Sequence, residues 1–144
     1  MLIQRLHQFF TAPVGNNSPR KVIFWLVLSL TFATIYASQV LLKAFSSEYV
    51  AQDDARQFVF WMQRFVDSEL LPNDLMADYY QSITPPGFAA FYLLMAKVGI
   101  APLLLSKLLP MILGLVTTVY VFGVTMEIFP IPSAAFLGTL LLNH

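Results

Sequence analysis

Cysteine is absent from this chain, and histidine occurs only as His7 and His144. Disulfides and cysteine-based metal or redox sites are thereby excluded, and neither a histidine-centred triad nor a histidine-rich zinc site has a basis. Charge is scarce as well. Only 11% of residues carry it while 58% are hydrophobic, against about 25% charged in an ordinary soluble domain. That gap decides the class: the composition is that of an all-α, polytopic membrane protein, with room in 144 residues for three or four spans and one modest loop. There is no internal repeat, no low-complexity segment, no Gly-rich phosphate loop, no serine-hydrolase elbow and no basic surface for a nucleic acid partner.

What charge there is has been sorted. Seven of the eight acids lie between Glu48 and Asp78, namely Glu48, Asp53, Asp54, Asp67, Glu69, Asp74 and Asp78. Only Arg56 and Arg64 oppose them, which leaves this stretch at −5. Residues 1–21 carry Arg5, Arg20 and Lys21 without an acid and read as a cytoplasmic amino-terminal segment, MLIQRLHQFF being amphipathic enough to lie on a membrane surface. Residues 22–42 are uncharged and make about 31 Å of helix, matching a hydrocarbon core near 30 Å. Arg20 and Lys21 before this first span and acid after it predict a cytoplasmic amino terminus in the plasma (inner) membrane and an extracytoplasmic loop over 43–86.

Within the loop, Ala55, Phe58, Val59, Met62, Phe65 and Val66 recur at helical spacing behind Asp53, a good helix-start residue. The pattern predicts interfacial helices over 53–71 and 74–81, separated by Pro72-Asn73, with Trp61 and the phenylalanines at the membrane interface. Pro85-Pro86-Gly87 then hands the chain to a second span, 87–105, with Lys97 at the cytoplasmic interface. A third span follows over 108–129, and residues 131–144 read as the start of a truncated fourth helix.

Three constellations can carry chemistry. The adjacent carboxylates Asp53 and Asp54 can hold a divalent cation through oxygen ligands, or act as general base and positioning group. They can equally be solvated caps. Their pattern is not the DDxxD of prenyl diphosphate binding, because position 57 is Gln57. Asp74 and Asp78 fall four residues apart, before Tyr79-Tyr80. They form either a second acidic contribution to one cavity or the polar face of an interfacial helix. Arg56 and Arg64 can grip a lipid phosphate or form salt bridges inside the acidic loop. Lys97 and Lys107 read as topological anchors.

The first span, the paired acids of QDDARQ, the interfacial segment and the proline pair of ITPPGFAAFYLLMAKVG form a recognisable order. It resembles the amino-terminal part of type C membrane glycosyltransferases that use polyprenyl-phosphate sugars. It is similar in particular to bacterial relatives of protein mannosyltransferases and lipid A aminoarabinose transferase. SKLLPMILGLVTTVYVFGVTMEIF is similar to the family's third span. The resemblance covers residues 20–142 and about the first third of such an enzyme. It implies an inverting transfer of sugar from a polyprenyl-phosphate donor to an acceptor at the extracytoplasmic face. Asp53 and Asp54 would be the catalytic pair and, if a divalent cation takes part, its ligands. Arg56, Asp78, Tyr79 and Tyr80 would contact substrate, although Arg56 follows the acids at a spacing that differs from the family's. Membrane lipid and the remainder of a split or truncated transferase would be the partners, and the fragment alone would be inactive. The competing expectation is a small non-catalytic multi-span protein whose acidic loop docks a basic partner. A transporter segment would place acids within a span, which only Glu127 approaches.

Overall fold

Helix is the outcome throughout. The computed structural model describes residues 2–13, 19–46 and 53–143, with the backbone alone at residues 2, 5, 6, 53 and 54, and no strand occurs among the described residues. The elements are α1 (Leu2–Thr11), α2 (Pro19–Ala44), α3 (Asp53–Phe58), a 3-10 helix (Phe60–Phe65), α4 (Leu75–Ile83), α5 (Pro86–Lys97), α6 (Pro102–Ile128) and α7 (Pro132–Asn143). They sort into two compact units, one of Met1–Val40 with Met111–His144, the other of Leu41–Pro110. Among the described residues two helices, α2 and α6, are long and apolar enough to cross a membrane by length and composition.

Prolines punctuate this helical chain. α2, α5, α6 and α7 all begin with one, where the missing N–H costs nothing and the fixed φ suits the first turn. Pro110, by contrast, lies inside α6. The helix expected over 87–105 ends early, at Lys97. Gly99 adopts φ +90, its N–H bonds the Ala96 carbonyl at 3.0 Å, and the Ile100 N–H bonds the Met95 carbonyl at 3.0 Å. This paired closure satisfies carbonyls the helix leaves open and turns the chain before Pro102 restarts it. The helix expected over 53–71 is also shorter, splitting at Val59 into α3 and the 3-10 helix.

In the first unit, α2, α6 and α7 meet through small and polar side chains. Ser29, Ala33, Thr118, Ala135 and Thr139 are all buried. The Thr139 hydroxyl donates to Ser29 Oγ at 3.0 Å, and Asn143 Nδ2 donates to Thr118 Oγ1 at 3.0 Å. Outward, Ile112, Leu113, Val116, Val119, Val124 and Ile128 of α6 are exposed, as are Ile23, Val27, Ile35 and Leu42 of α2. The pairings fix directions. Residue 25 lies by 136 and residue 29 by 139, whereas residue 118 lies by 143 and the Gly138 position faces Thr125. α7 therefore runs parallel to α2 and antiparallel to α6.

α1 is held on this unit by its carboxyl end. Phe9 and Phe10 stack at 5.7 and 5.6 Å from the buried Trp25 ring. Lys21 Nζ donates to the carbonyls of Gln8 (3.3 Å) and Ala12 (3.0 Å), placing a cation where the helix dipole is negative. The Ser133 hydroxyl donates to the Phe10 carbonyl. Trp25 is covered so completely that its indole N–H has no acceptor, a cost of about 1–3 kcal/mol set against its aromatic neighbours.

Glycine substitutions separate the two roles of that residue here. Gly99→Ala forces a side chain into a left-handed turn and should destabilise the fold by about 1 kcal/mol. Gly87→Ala, in open space within α5, should stabilise it by about 0.5–1 kcal/mol. Thermal unfolding followed by circular dichroism of the two variants checks the opposite signs.

Candidate functional site

The acidic stretch folds into the core of the second unit. α3 contributes buried Ala55, and Val59 follows it. The 3-10 winding of Phe60–Phe65 then brings side chains three apart into line, so that Met62 shares a row with Phe65 and Trp61 with Arg64. Met62 and Trp61 are buried with Ala77 of α4, Tyr92 of α5 and Leu105 of α6. Trp61, expected at the membrane interface, is instead inside this core, and its Nε1–H donates to Thr84 Oγ1 at 3.2 Å. That bond ties the 3-10 helix to the joint between α4 and α5. Thr84 is extended there, as the residue before Pro85 should be.

Arg64 is the hub. Its Nη1 donates to Asp78 Oδ1 at 2.7 Å and Gln81 Oε1 at 3.1 Å, its Nη2 to the Leu71 carbonyl at 2.6 Å, and its Nε to the Leu70 carbonyl at 3.3 Å. The planar fork thus clasps the loop 66–74 and α4 together, a task for which lysine lacks the donors. The loop needs a clasp because Leu71 and Asn73 both sit at positive φ, 58 and 57. Asparagine tolerates this region, but for leucine it costs about 1–2 kcal/mol.

Most described carboxylates of the stretch serve local geometry rather than a shared cavity. Asp67 Oδ1 accepts the Glu69 N–H at 3.0 Å. Asp74 caps α4, accepting the N–H groups of Met76 and Ala77 at 2.9 Å each, a stabilisation of about 1 kcal/mol. Asp78 pairs with Arg64. Tyr80 packs edge-on against Phe58 and Phe60, while Tyr79 is exposed. Arg56 is on the exposed side of α3. Asp53 and Asp54 open α3, and their side chains, like all of Glu48, lie outside the described residues. Among the described residues, no group of three or more His, Cys, Asp or Glu is arranged to hold a metal ion.

Two residues gain weight that spacing alone did not assign them. Arg64 stands among seven acids, and only the fold selects Asp78 from them. Lys107, expected as an anchor at a membrane boundary, is buried with its ammonium 5.2 Å from the centre of the Phe45 ring, a cation–π distance. Its position just past the amino end of an apolar helix was the available signal.

Because Asp78 is half-exposed, its pair with Arg64 is worth at most about 1 kcal/mol after solvent screening, whereas the two carbonyl bonds are charge-assisted. Arg64→Met should therefore destabilise the unit by about 2–4 kcal/mol and Asp78→Asn by less than about 1 kcal/mol. Hydrogen–deuterium exchange of the 66–78 amides should speed up strongly in the first variant, little in the second, and Arg64→Lys should behave like Arg64→Met. Compared with protein-family models, curated proteins and solved structures, the chain matches none.

Proposed function

We propose that this chain is the membrane-embedded amino-terminal part of a glycosyltransferase that takes its sugar from a polyprenyl-phosphate donor at the extracytoplasmic face. The membrane reading comes first, and it is supported by which side chains face out. Burying a valine, leucine, isoleucine or phenylalanine is worth about 1.5–3 kcal/mol. Roughly a dozen such side chains half-exposed on α2 and α6 would forfeit about 10–15 kcal/mol in water, as much as the 5–15 kcal/mol stability of a typical domain. In hydrocarbon the same faces cost nothing. Packing through Ser29, Thr118, Ala135 and Thr139 is what helices use when lipid removes any hydrophobic drive between them.

The observation that carries the catalytic reading is the second unit itself. The stretch between two helices of spanning length is no solvated acidic tether. It is a packed helical core opened by Asp53-Asp54, whose acids Asp67, Asp74 and Asp78 are engaged in holding it together. A docking surface would keep those carboxylates free for a basic partner. In the proposed reaction, the Asp53 carboxylate takes the proton of the acceptor hydroxyl as its oxygen attacks the anomeric carbon. The bond from that carbon to the phosphate oxygen breaks, the polyprenyl phosphate leaves with the electron pair, and configuration inverts. Asp54 positions the acceptor or a divalent cation. Arg56, Tyr79 and Tyr80 are the remaining candidates for substrate contact, while Asp78 would act through Arg64.

The test uses membranes containing the full gene product and undecaprenyl-phosphate-linked mannose, glucose or aminoarabinose radiolabelled in the sugar. Asp53→Asn should lower transfer at least about 100-fold, the scale of a lost general base, at unchanged protein level. Asp74→Asn should lower protein level and leave the rate per molecule intact. An undiminished rate in Asp53→Asn would remove that residue from the mechanism, and no transfer from any donor by the wild type would favour the docking protein instead.

A further inference from the structure

α5 was expected to cross the bilayer, and the contacts inside each unit argue against it. In the first unit, the start of α2 lies beside the end of α6: Trp25 clusters with Phe122, and Val22 and Met126 pack on the same core. In the second unit, Phe45, just past the end of α2, lies over Lys107 in the first turns of α6. α2 and α6 thus run antiparallel, so an outward α2 requires an inward α6. A crossing by α5 would reverse α6 and is incompatible with both contacts.

The helix itself agrees. Its 12 residues reach about 18 Å, little more than half a hydrocarbon core. Ala89 near its start, Met95 towards its end and Ile100 after it all pack against the core that holds Trp61 and Met62. α5 therefore stays with the loop unit along its whole length. Of α6, the turns from Pro102 to Pro110 belong to that unit, and Met111–Ile128 is left to span.

We infer that α4 and α5 together form an apolar platform resting on the outer leaflet of the bilayer, and that the chain crosses the membrane only twice before Pro130. This rests on the membrane reading above. Three faces can be read round α4 at 100° per residue. Ala77, Tyr80 and Thr84 turn to the core, and Asp78 and Gln81 meet Arg64. Leu75, Met76, Tyr79 and Ile83 form an exposed apolar ridge, Leu75 at 84%. Two residues later α5 begins, with Phe88, Phe91, Leu94 and Val98 likewise exposed. One continuous stretch, Leu75 to Val98, so presents apolar side chains on two helices joined only by Thr84-Pro85. The occupant that covers such a stretch, from which the chain continues directly into the apolar helix α6, is lipid, met at headgroup depth by the tyrosine and methionine.

The cysteine-free chain makes the test direct. Single substitutions Gln8→Cys, Ser68→Cys, Lys97→Cys and Phe129→Cys are exposed in turn to a membrane-impermeant maleimide, in intact and then in permeabilised cells. Positions 68 and 97 should label from one side and positions 8 and 129 from the other. Position 97 sharing a side with 8, or 129 with 68, overturns the proposal, whichever way the whole chain is oriented. Alkaline carbonate extraction that releases the chain from membranes would overturn the membrane reading and this inference with it. For the platform, an environment-sensitive fluorophore at Met76→Cys or Ile83→Cys in phosphatidylcholine vesicles should lose about half its emission to chain-brominated lipid, consistent with interfacial burial. A fluorophore at Val116→Cys in α6 is the positive control. Quenching at 116 but iodide quenching alone at 76 and 83 would put the ridge in water. Protection of 76 and 83 from both quenchers would put a second copy of the chain there. Either result sinks the platform.

Discussion

The guanidinium of Arg64 is the interaction on which the second unit depends. Its donors reach Leu70, Leu71, Asp78 and Gln81, which belong to two successive pieces of chain that would otherwise be free to separate. A loop with leucine in a left-handed conformation directly before Pro72 forms only if something outside it supplies the deficit. Arg64 supplies it by satisfying the carbonyls that this conformation turns inward. Once the loop is clasped, Asp74 can cap α4 and Ala77 can seal the core over Met62. The order of dependence runs from one side chain to a turn, from the turn to a helix, and from the helix to the roof over Trp61.

The other unit obeys a different constraint. On the proposed membrane reading its outer faces meet hydrocarbon and gain nothing from further burial, so association is left to small side chains and to hydrogen bonds among Ser29, Thr139, Asn143 and Thr118. Ser29 donates its own proton to the Trp25 carbonyl and Thr118 to that of Gly114, while the single Thr139 proton has the Phe136 carbonyl at 2.7 Å as an alternative acceptor on its own helix. None is stranded if a neighbour moves. Trp25 is the exception, buried under α1 without an acceptor, and it marks the end of α2 where rings rather than hydroxyls do the packing.

Much of this was legible in the sequence, for reasons that can be stated. Helical content, the two long apolar runs, the break at Pro72-Asn73 with a helix starting near Asp74 and the joint at Pro85-Pro86 are local effects of hydropathy and proline chemistry, and a single chain carries them openly; that Asp74 caps the helix was not read there. What was not legible depends on partners distant in sequence. The phenylalanines and Trp61 satisfy a helical wheel whether they face lipid or a protein core. Only α4 and α5 arriving over them decides for the core. The stretch 87–105 was expected as a span, and its interruption rests on one glycine at positive φ and one proline. The length of a hydrophobic run limits crossing, but the closure at Gly99 is what ends α5. For the paired acids, sequence supplied position and the backbone agrees that a helix starts at Asp53. Their chemistry is carried by a resemblance, not by contacts.

These two constraints together say why a catalytic carboxylate would sit where Asp53 does. A donor whose lipid tail lies in the bilayer presents its phosphate and sugar at headgroup depth. A base that must reach the anomeric carbon has to be fixed at that depth and cannot hang from a mobile tether, because general-base catalysis falls away once the proton is beyond hydrogen-bond reach. Spans alone end at the interface with no structure to hold a residue above it. A loop folded on its own core, with Leu105 and Leu109 of α6 packed into that core, would meet that requirement if the exposed ridge of α4 rests on lipid as inferred above. The acids used as caps and clasps are then not surplus charge around a site. They hold together the loop and the helix α4 that pack with α3 in one folded unit.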